Sequence, residues 1–168
     1  EIAAEYGVPT QCTDYDELLG LDLDAVVIAT PAPLHTAQSI AALATGRHVL
    51  CEVPAVASLG EAHALVQAVE SSSGSYMLAE NVNYFDRTLA WQKFIDAGKL
   101  GTIHYAEAEY IHDCSSLFTH PDGTPTWRAS LPPIHYCTHS LGPLLAWTGD
   151  RCVSVTGMHT GRHLRPDL

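Results

Sequence analysis

Short apolar runs alternate with amphipathic stretches along the first half of the chain. Ala25–Ala29 is a continuous apolar run of the kind buried in a parallel sheet whose two faces are both covered. It ends at Thr30 and Pro31, because proline lacks an N–H and restricts the residue before it to extended geometry. Apolar residues at helical spacing then predict a helix over Thr36–Ala44, and His48–Cys51 is a second buried strand. This order predicts two parallel strands joined by a right-handed crossover.

Helical spacing and short apolar runs continue to alternate toward the middle of the chain. A helix is predicted over Leu59–Val69, with Ser58 as its N-cap and Glu61 completing a capping box. The serine-rich stretch 71–75 predicts a turn, and Tyr76–Ala79 predicts a third short strand. We therefore expect parallel strands whose carboxyl ends meet at one edge, where open α/β sheets bind their ligands.

The second half of the chain has a different pattern. An amphipathic helix is predicted over Asp86–Ala97, and the alternating segment Gly101–Ile111 predicts a strand with one wetter face. Cys152–Gly157 is strand-like, and a helix that continues to about Trp147 precedes it. The helix over Asp86–Ala97 should turn three apolar side chains toward the core, namely Leu89, Phe94 and Ile95.

Polar side chains that could carry chemistry stand at the predicted strand ends. An unpaired carboxylate after a buried strand is costly, so it needs solvent or a hydrogen-bond partner. Two carboxylates at neighbouring strand ends point into one crevice, although a simple strand-ending turn would also explain the first loop. The candidates are Thr30, Pro31 and His35 after the first strand, Glu52 and Pro54 after the second, and Glu80 and Asn81 after the third.

The second half supplies further candidates. Tyr110 and His112 fall on one face of the alternating segment. Trp127 and Arg128 place an aromatic plane beside a fixed charge, a pairing suited to sugar rings and hydroxyls. A purely structural role fits each of these residues as well, since half-buried sheets often contain tyrosine and histidine, and a buried tryptophan can anchor a loop.

Tyr136 and His139 form the most informative cluster, just before the last predicted helix. His135 lies four residues before His139, a spacing at which two histidines on one helical face can bind zinc. A third ligand would have to come from a distant part of the chain, and the sequence contains no His-Glu-x-x-His pattern. Acid/base chemistry is therefore favoured over a metal site.

Charge and composition narrow the classes of function. The 168-residue chain has a formal net charge of −11, from 19 acidic and 8 basic side chains, which argues against nucleic-acid binding. Its apolar stretches are far shorter than the roughly 18 residues that a membrane helix needs. Five cysteines, an odd number without a Cys-x-x-Cys pair, favour reduced thiols and a cytoplasmic location.

Four segments, in order, resemble the Gfo/Idh/MocA oxidoreductases. They are ATPAPLH (29–35), GRHVLCEVPA (46–55), AEN (79–81) and THSLGP (138–143). The resemblance implies the α/β class, with part of a Rossmann domain, a doubly wound parallel sheet, over residues 1–84. Residues 85–168 would form a linker helix and the start of an α/β substrate domain with a mainly antiparallel open sheet. The resemblance further implies NAD or NADP, with NAD favoured, a small-molecule sugar substrate, and a full-length parent that forms homo-oligomers.

The chain also departs from the family pattern. The dinucleotide fingerprint Gly-x-Gly-x-x-Gly is absent, and there is no initial methionine, so we expect an internal fragment with some apolar faces left uncovered. Val53 stands where most members carry a lysine near the hydride-transfer carbon. His135 stands where most carry an aspartate that orients the histidine four residues later.

The resemblance implies a role for each candidate residue. Catalysis would fall to Tyr136 as the base, to His139 as the group that polarises a sugar oxygen, and to Tyr110. The cofactor would lie against Thr30, Pro31, His35, Glu52, Pro54 and Asn81. Substrate contacts would come from Glu80, His112, Trp127, Arg128 and His135, and no metal is expected.

Three functions stay open at this point. The first is NAD(P)-dependent oxidation of a sugar or sugar derivative by hydride transfer at a ring carbon. The second follows from a resemblance to the branch that contains NAD-dependent α-N-acetylgalactosaminidases, which implies oxidation at C3, elimination of the aglycone, addition of water and return of the hydride. The third is a truncated, non-catalytic homologue, which would not bind nicotinamide.

Overall fold

The first half of the chain folds around a three-stranded parallel sheet, in a computed structural model that describes residues 2–159. The strands lie side by side in the order β1 (Ala25–Ile28), β2 (His48–Cys51) and β3 (Tyr76–Leu78). All three predicted strands are confirmed to within one residue at their ends. Their parallel arrangement is confirmed as well.

Helices connect the strands and follow them. The Ser58 Oγ accepts a hydrogen bond from the Glu61 N–H at 3.2 Å, which confirms the predicted N-cap of the helix that begins at Leu59. The Glu61 carboxylate closes the box one residue earlier than expected, because it accepts from the N–H of Ala57 at 2.6 Å. The helices are α1 (Ile2–Glu5), α2 (Tyr15–Leu19), α3 (His35–Ala44), α4 (Leu59–Ser71), α5 (Asp86–Asp96) and α6 (Thr138–Thr148).

Only one face of the sheet is covered in the part of the chain that the structure describes. On the covered face, strand residues pack with α3 and α4 and are at most 6% exposed, among them Val26, Ile28, Val49 and Cys51. On the other face, the register aligns Val27, Leu50 and Met77 in one row, and Val27 is 67% exposed. Within the described residues the sheet is therefore buried on one face only, and the expectation of uncovered apolar surface is confirmed.

The second half contains less regular structure than predicted. Gly101–Ile111 and Cys152–Gly157 are both irregular and mostly exposed, so the two strand predictions are wrong. A strand must pair its N–H and C=O groups with a neighbour. Within residues 101–159 the only bridge is an isolated antiparallel one between Thr119 and Pro125. The last nine residues of the predicted second domain, 160–168, lie outside the described residues.

The position of α5 is predicted correctly, but its buried face is not. Leu89 is 42% exposed and Phe94 is 53% exposed, Ile95 is half-buried, and Thr88 is buried. The carbonyl of Thr88 accepts a hydrogen bond from the Trp147 indole N–H of α6 at 3.2 Å. Hydrophobic spacing identified the helix but not the side from which α6 approaches it. No helix among residues 2–159 combines the length and the apolar character needed to cross a membrane.

One imidazole ties together the loops that follow β1 and β2. His35, at the start of α3, is 2% exposed. Its Nδ1 lies 2.8 Å from the carbonyl oxygen of Pro54, and its Nε2 lies 2.7 Å from that of Thr30. A carbonyl oxygen can only accept and a neutral imidazole has one N–H, so the neutral ring donates to one of these two carbonyls, the one that its tautomer selects. The first turn of α3 thus holds both strand-end loops in place.

We expect His35→Ala to lower the free energy of unfolding by about 2–4 kcal/mol, since the strand-end loops lose their hydrogen bond to the ring and a cavity replaces it. Urea unfolding followed by circular dichroism measures this loss. His63→Ala, at an exposed position of α4, serves as the matched control and should change stability by less than about 0.5 kcal/mol. Equal losses in the two variants would show that the ring does not hold the loops.

Candidate functional site

A cavity of about 240 Å³ opens where β1 and β2 end. Its volume lies just below the range typical of ligand pockets, so it suits one ring of a ligand rather than a whole dinucleotide. A larger groove of about 380 Å³ lies between α3 and α4, but no charged side chain lines it. The smaller cavity is lined by Ala29, Thr30, Pro31, His35, Glu52, Val53, Trp127 and Arg128, and six of these are predicted site residues.

The two sides of the cavity carry opposite charges. Glu52 stands on the side of the strand ends, and Arg128 faces it from the 3₁₀ helix Trp127–Ser130. The Arg128 guanidinium carbon lies 4.1 Å from the centre of the Trp127 ring, a distance that allows a cation–π interaction. Among residues 2–159, Arg128 forms no ion pair with a carboxylate. The cavity thus presents an aromatic plane and a positive charge without a carboxylate partner.

A second cluster surrounds His139 in the first turn of α6. His139 Nδ1 lies 2.7 Å from Glu80 Oε1, and these side chains are 9% and 5% exposed. The rings of Tyr110 and Tyr136 flank the imidazole, with centroids 4.5 Å and 6.0 Å from its own. The Tyr110 hydroxyl in turn lies 3.2 Å from His112 Nδ1. Five predicted catalytic or substrate-binding residues therefore meet in one cluster.

The cavity and the cluster belong to the same edge of the sheet. Glu52 directly follows β2, and Glu80 follows β3 after one intervening residue. The two strands are paired up to their last residues, since Cys51 is aligned with Leu78 and its carbonyl accepts from the Ala79 N–H at 2.7 Å. Neighbouring strand ends thus carry both carboxylates, as the sequence predicts.

The phenol of Tyr110 has a perturbed acidity. Although the residue is 44% exposed, partial burial is the main cause that raises its pKa above the ordinary value. The Cys114 thiol, the Tyr136 phenol and the Glu80 carboxylate act in the same direction, because each disfavours a second negative charge nearby. Tyr110 therefore stays protonated at neutral pH, as a hydrogen-bond donor.

Three predicted residues lie apart from these contacts. Asn81 is exposed in the first position of the 3₁₀ helix Asn81–Tyr84. Pro54 is buried, and its carbonyl is engaged by His35. The Nδ1 of His135 is buried without a hydrogen-bond partner in the described structure. Across residues 2–159, no three metal-ligating side chains converge.

Sequence reasoning missed two residues that shape the His139 cluster. Cys114 places its Sγ 3.3 Å from His112 Nδ1, and nothing in its sequence context indicates this. Gly142 lets α6 approach the end of β3, because a Cβ there would lie 2.8 Å from Glu80 Cγ and 3.0 Å from Asn83 Oδ1. A glycine inside a predicted helix was the available signal, since such a glycine often marks a close approach.

Comparisons with curated proteins identify relatives among glycoside hydrolases. A glycosyl hydrolase family 109 protein of Saccharopolyspora erythraea is 31% identical over 157 residues, which is 88% of this chain and 34% of that protein. The alpha-N-acetylgalactosaminidase of Shewanella oneidensis is 30% identical over 154 residues, or 86% of this chain and 34% of that protein. The chain thus spans about a third of the length of these relatives.

Solved structures show the same fold. An oxidoreductase domain protein from Kribbella flavida superposes with a TM-score of 0.74 at 27% identity, over 89% of this chain and 42% of that one. The WlbA dehydrogenase from Bordetella pertussis, solved in complex with NADH and UDP-GlcNAcA, gives a TM-score of 0.52 at 28% identity, over 61% and 30%. The family model described as an oxidoreductase family with an NAD-binding Rossmann fold matches residues 1–80. These residues therefore belong to the Gfo/Idh/MocA family of oxidoreductases, as their sequence predicts.

Proposed function

We propose that this chain contributes nicotinamide-binding and acid/base residues to an oxidoreductase that transfers hydride at a ring carbon of a sugar or sugar derivative. The observation that carries the proposal is the shared sheet edge, where the Glu52 cavity and the His139 cluster stand at neighbouring strand ends. The match of residues 1–80 to an NAD-binding family supports it. The solved dehydrogenase with NADH and a nucleotide sugar supports the substrate class.

The cavity fits one ring of a nicotinamide cofactor. Trp127 offers an aromatic plane, and Arg128 a charge that no carboxylate neutralises in the described structure. When bound, the cofactor supplies hydride acceptance and return, NAD being favoured over NADP. The residues that would hold it are Thr30, Pro31, His35, Glu52, Pro54 and Asn81. His35 acts through the carbonyls of its two loops, since both of its nitrogens are engaged there.

The His139 cluster provides the proton chemistry. The imidazole would hold the proton of the reacting sugar hydroxyl, a task suited to histidine near neutral pH. Tyr136 is the candidate base for the second proton that the hydrolytic alternative below removes, whereas the raised pKa of Tyr110 suits a hydrogen-bond donor to a sugar oxygen. The contact between Tyr110 and His112 gives this hydroxyl a neighbour that can exchange protons with solvent. Trp127, Arg128 and His135 would make further substrate contacts.

A second candidate is NAD-dependent glycoside hydrolysis. It is favoured by the names of the curated relatives, which are 30–32% identical over more than four-fifths of this chain. Val53 lines the cavity, so no lysine stands there to take a proton. In this chemistry Tyr136 would remove the proton from the carbon beside the oxidised one. The net reaction would release the aglycone.

The cellular location and the oligomeric state of the whole protein are part of the same proposal. Reduced thiols suit the cytoplasm, and the five cysteines are unpaired in the structure. Homo-oligomers of the whole protein are proposed on the family resemblance. A reading as a non-catalytic homologue would instead require that the cavity bind no nicotinamide.

Energy transfer from tryptophan to NADH tests cofactor binding by this chain. We expect saturable transfer that Trp127→Phe largely removes, because Trp127 lines the cavity. Trp91→Phe is the matched control, since Trp91 is exposed on α5 and should leave the transfer intact. Absence of NADH binding would overturn the proposed function and favour the non-catalytic homologue.

Product analysis separates the two catalytic candidates. A sugar dehydrogenase accumulates NADH when sugar and NAD are supplied, whereas the hydrolase releases the aglycone of an N-acetylgalactosaminide without net NADH. His139→Asn should abolish whichever reaction occurs. Aglycone release that needs NAD but consumes none would overturn the dehydrogenase proposal in favour of the hydrolase.

The raised pKa of Tyr110 predicts the pH at which its phenolate forms. In an ultraviolet titration, the difference between the chain and Tyr110→Phe should show a phenolate that appears only above the ordinary tyrosine value of about 10. Glu80→Gln should shift this transition to lower pH, because it removes a nearby negative charge. Glu70→Gln, on the exposed side of α4, should leave it in place. A phenolate that forms near neutral pH would contradict the role of Tyr110 as a donor.

A further inference from the structure

We propose that Glu80 is the positioning residue of His139: its carboxylate accepts the Nδ1–H and leaves Nε2 as the nitrogen that meets the substrate. The inference rests on the proposed function, because it states how the acid/base group of that site is held. Glu80 comes from the end of β3 and His139 from α6, 59 residues further along the chain. A residue that follows the last strand of the sheet thereby orients the imidazole of a residue in the second half of the chain.

The first support is the contact itself. Glu80 Oε1 lies 2.7 Å from His139 Nδ1 and also accepts from the Val82 N–H at 3.1 Å. Glu80 is 4% exposed, so its charge depends on such donors rather than on water. A carboxylate that is bonded to one imidazole nitrogen selects the tautomer with the proton on that side. Among residues 2–159, Nε2 of His139 has no hydrogen-bond partner.

The second support is the close approach of α6. Gly142 lies three residues after His139 and therefore on the same side of the helix. A Cβ at Gly142 would come within 2.8 Å of Glu80 Cγ, closer than real Cβ atoms approach. Only glycine thus leaves room for the carboxylate beside the imidazole. One face of α6 carries both the histidine and the space for its partner.

The third support comes from the position four residues before the histidine. The α-helix begins at Thr138, and His135 lies in the preceding 3₁₀ helix, Pro133–Tyr136. His135 is therefore not one α-helical turn away from His139. Its Nδ1 is buried without a partner, so it does not hold the His139 ring by that atom. The Tyr110 ring, 4.5 Å away, limits the rotation of the imidazole from another side.

Nitrogen NMR of the histidine-labelled chain tests the tautomer without cofactor or substrate. We expect neutral His139 to carry its proton on Nδ1. Glu80→Ala and Gly142→Ala should both convert it to a mixture of tautomers, the second without altering either partner of the contact. Glu70→Gln is the control that removes an exposed carboxylate and should leave the signals unchanged. An Nε2–H tautomer in the unmodified chain, or no response in folded Gly142→Ala, would overturn the proposal.

Kinetics distinguish positioning from substrate contact. In whichever reaction the protein catalyses, Glu80→Gln should lower kcat by about 100-fold, the lower end of general acid–base contributions, with little change in KM. A raised KM with unchanged kcat would instead make Glu80 a substrate contact and overturn the positioning role. A protein without activity would refute the proposed function. The NMR measurement needs no turnover, so the tautomer of His139 would still show whether Glu80 orients the ring.

Discussion

The cavity of the candidate site depends on how the loops at the carboxyl ends of β1 and β2 are held. Such loops contain few backbone hydrogen bonds of their own, so a side chain must supply the donors. The ring of His35 lies between the two loops, its two nitrogens facing the carbonyls of Thr30 and Pro54, and its N–H donates to one of them. The cavity walls are formed by these same loops. A histidine that a sequence comparison would place against a ligand thus shapes the site through the backbone.

The His139 cluster combines burial with polarity in a way that the sheet alone cannot provide. A carboxylate beyond the end of β3 would be costly without donors, and an imidazole near the start of α6 supplies one. Tyrosine rings on two sides shield this pair from solvent. Arg128 adds the opposite charge across the neighbouring cavity, in a chain whose net charge is −11. The edge of the sheet therefore combines one buried carboxylate–imidazole contact with polar atoms that have no partner in the described structure, among them Glu80 Oε2.

The elements of the first half are predicted well from the sequence, because their signals are local. Hydrophobic spacing indicates β1 and α3, a proline marks the end of β1, and a capping box marks the start of α4. The prediction fails at Gly101–Ile111, where alternation predicts a strand but no partner strand lies beside it among residues 2–159. The family resemblance places an orienting group four residues before His139, at the position of His135. In the structure this position lies in the preceding 3₁₀ helix, because α6 begins at Thr138. Glu80 and His139 are 59 residues apart in the sequence, and a hydrophobic repeat predicts contacts only between residues a few positions apart. Their contact could therefore not be predicted from the sequence pattern.

Two of the contacts that dock α6 span the same length of chain. Glu80 with His139 and Thr88 with Trp147 are each 59 residues apart, so closing either loop costs similar chain entropy. Neither contact belongs to the sheet, whose own hydrogen bonds do not require α6. Opening of this helix would therefore separate Glu80 from His139 while the parallel strands stay intact. A partly unfolded chain could thus keep its Rossmann core and still lack the assembled candidate site.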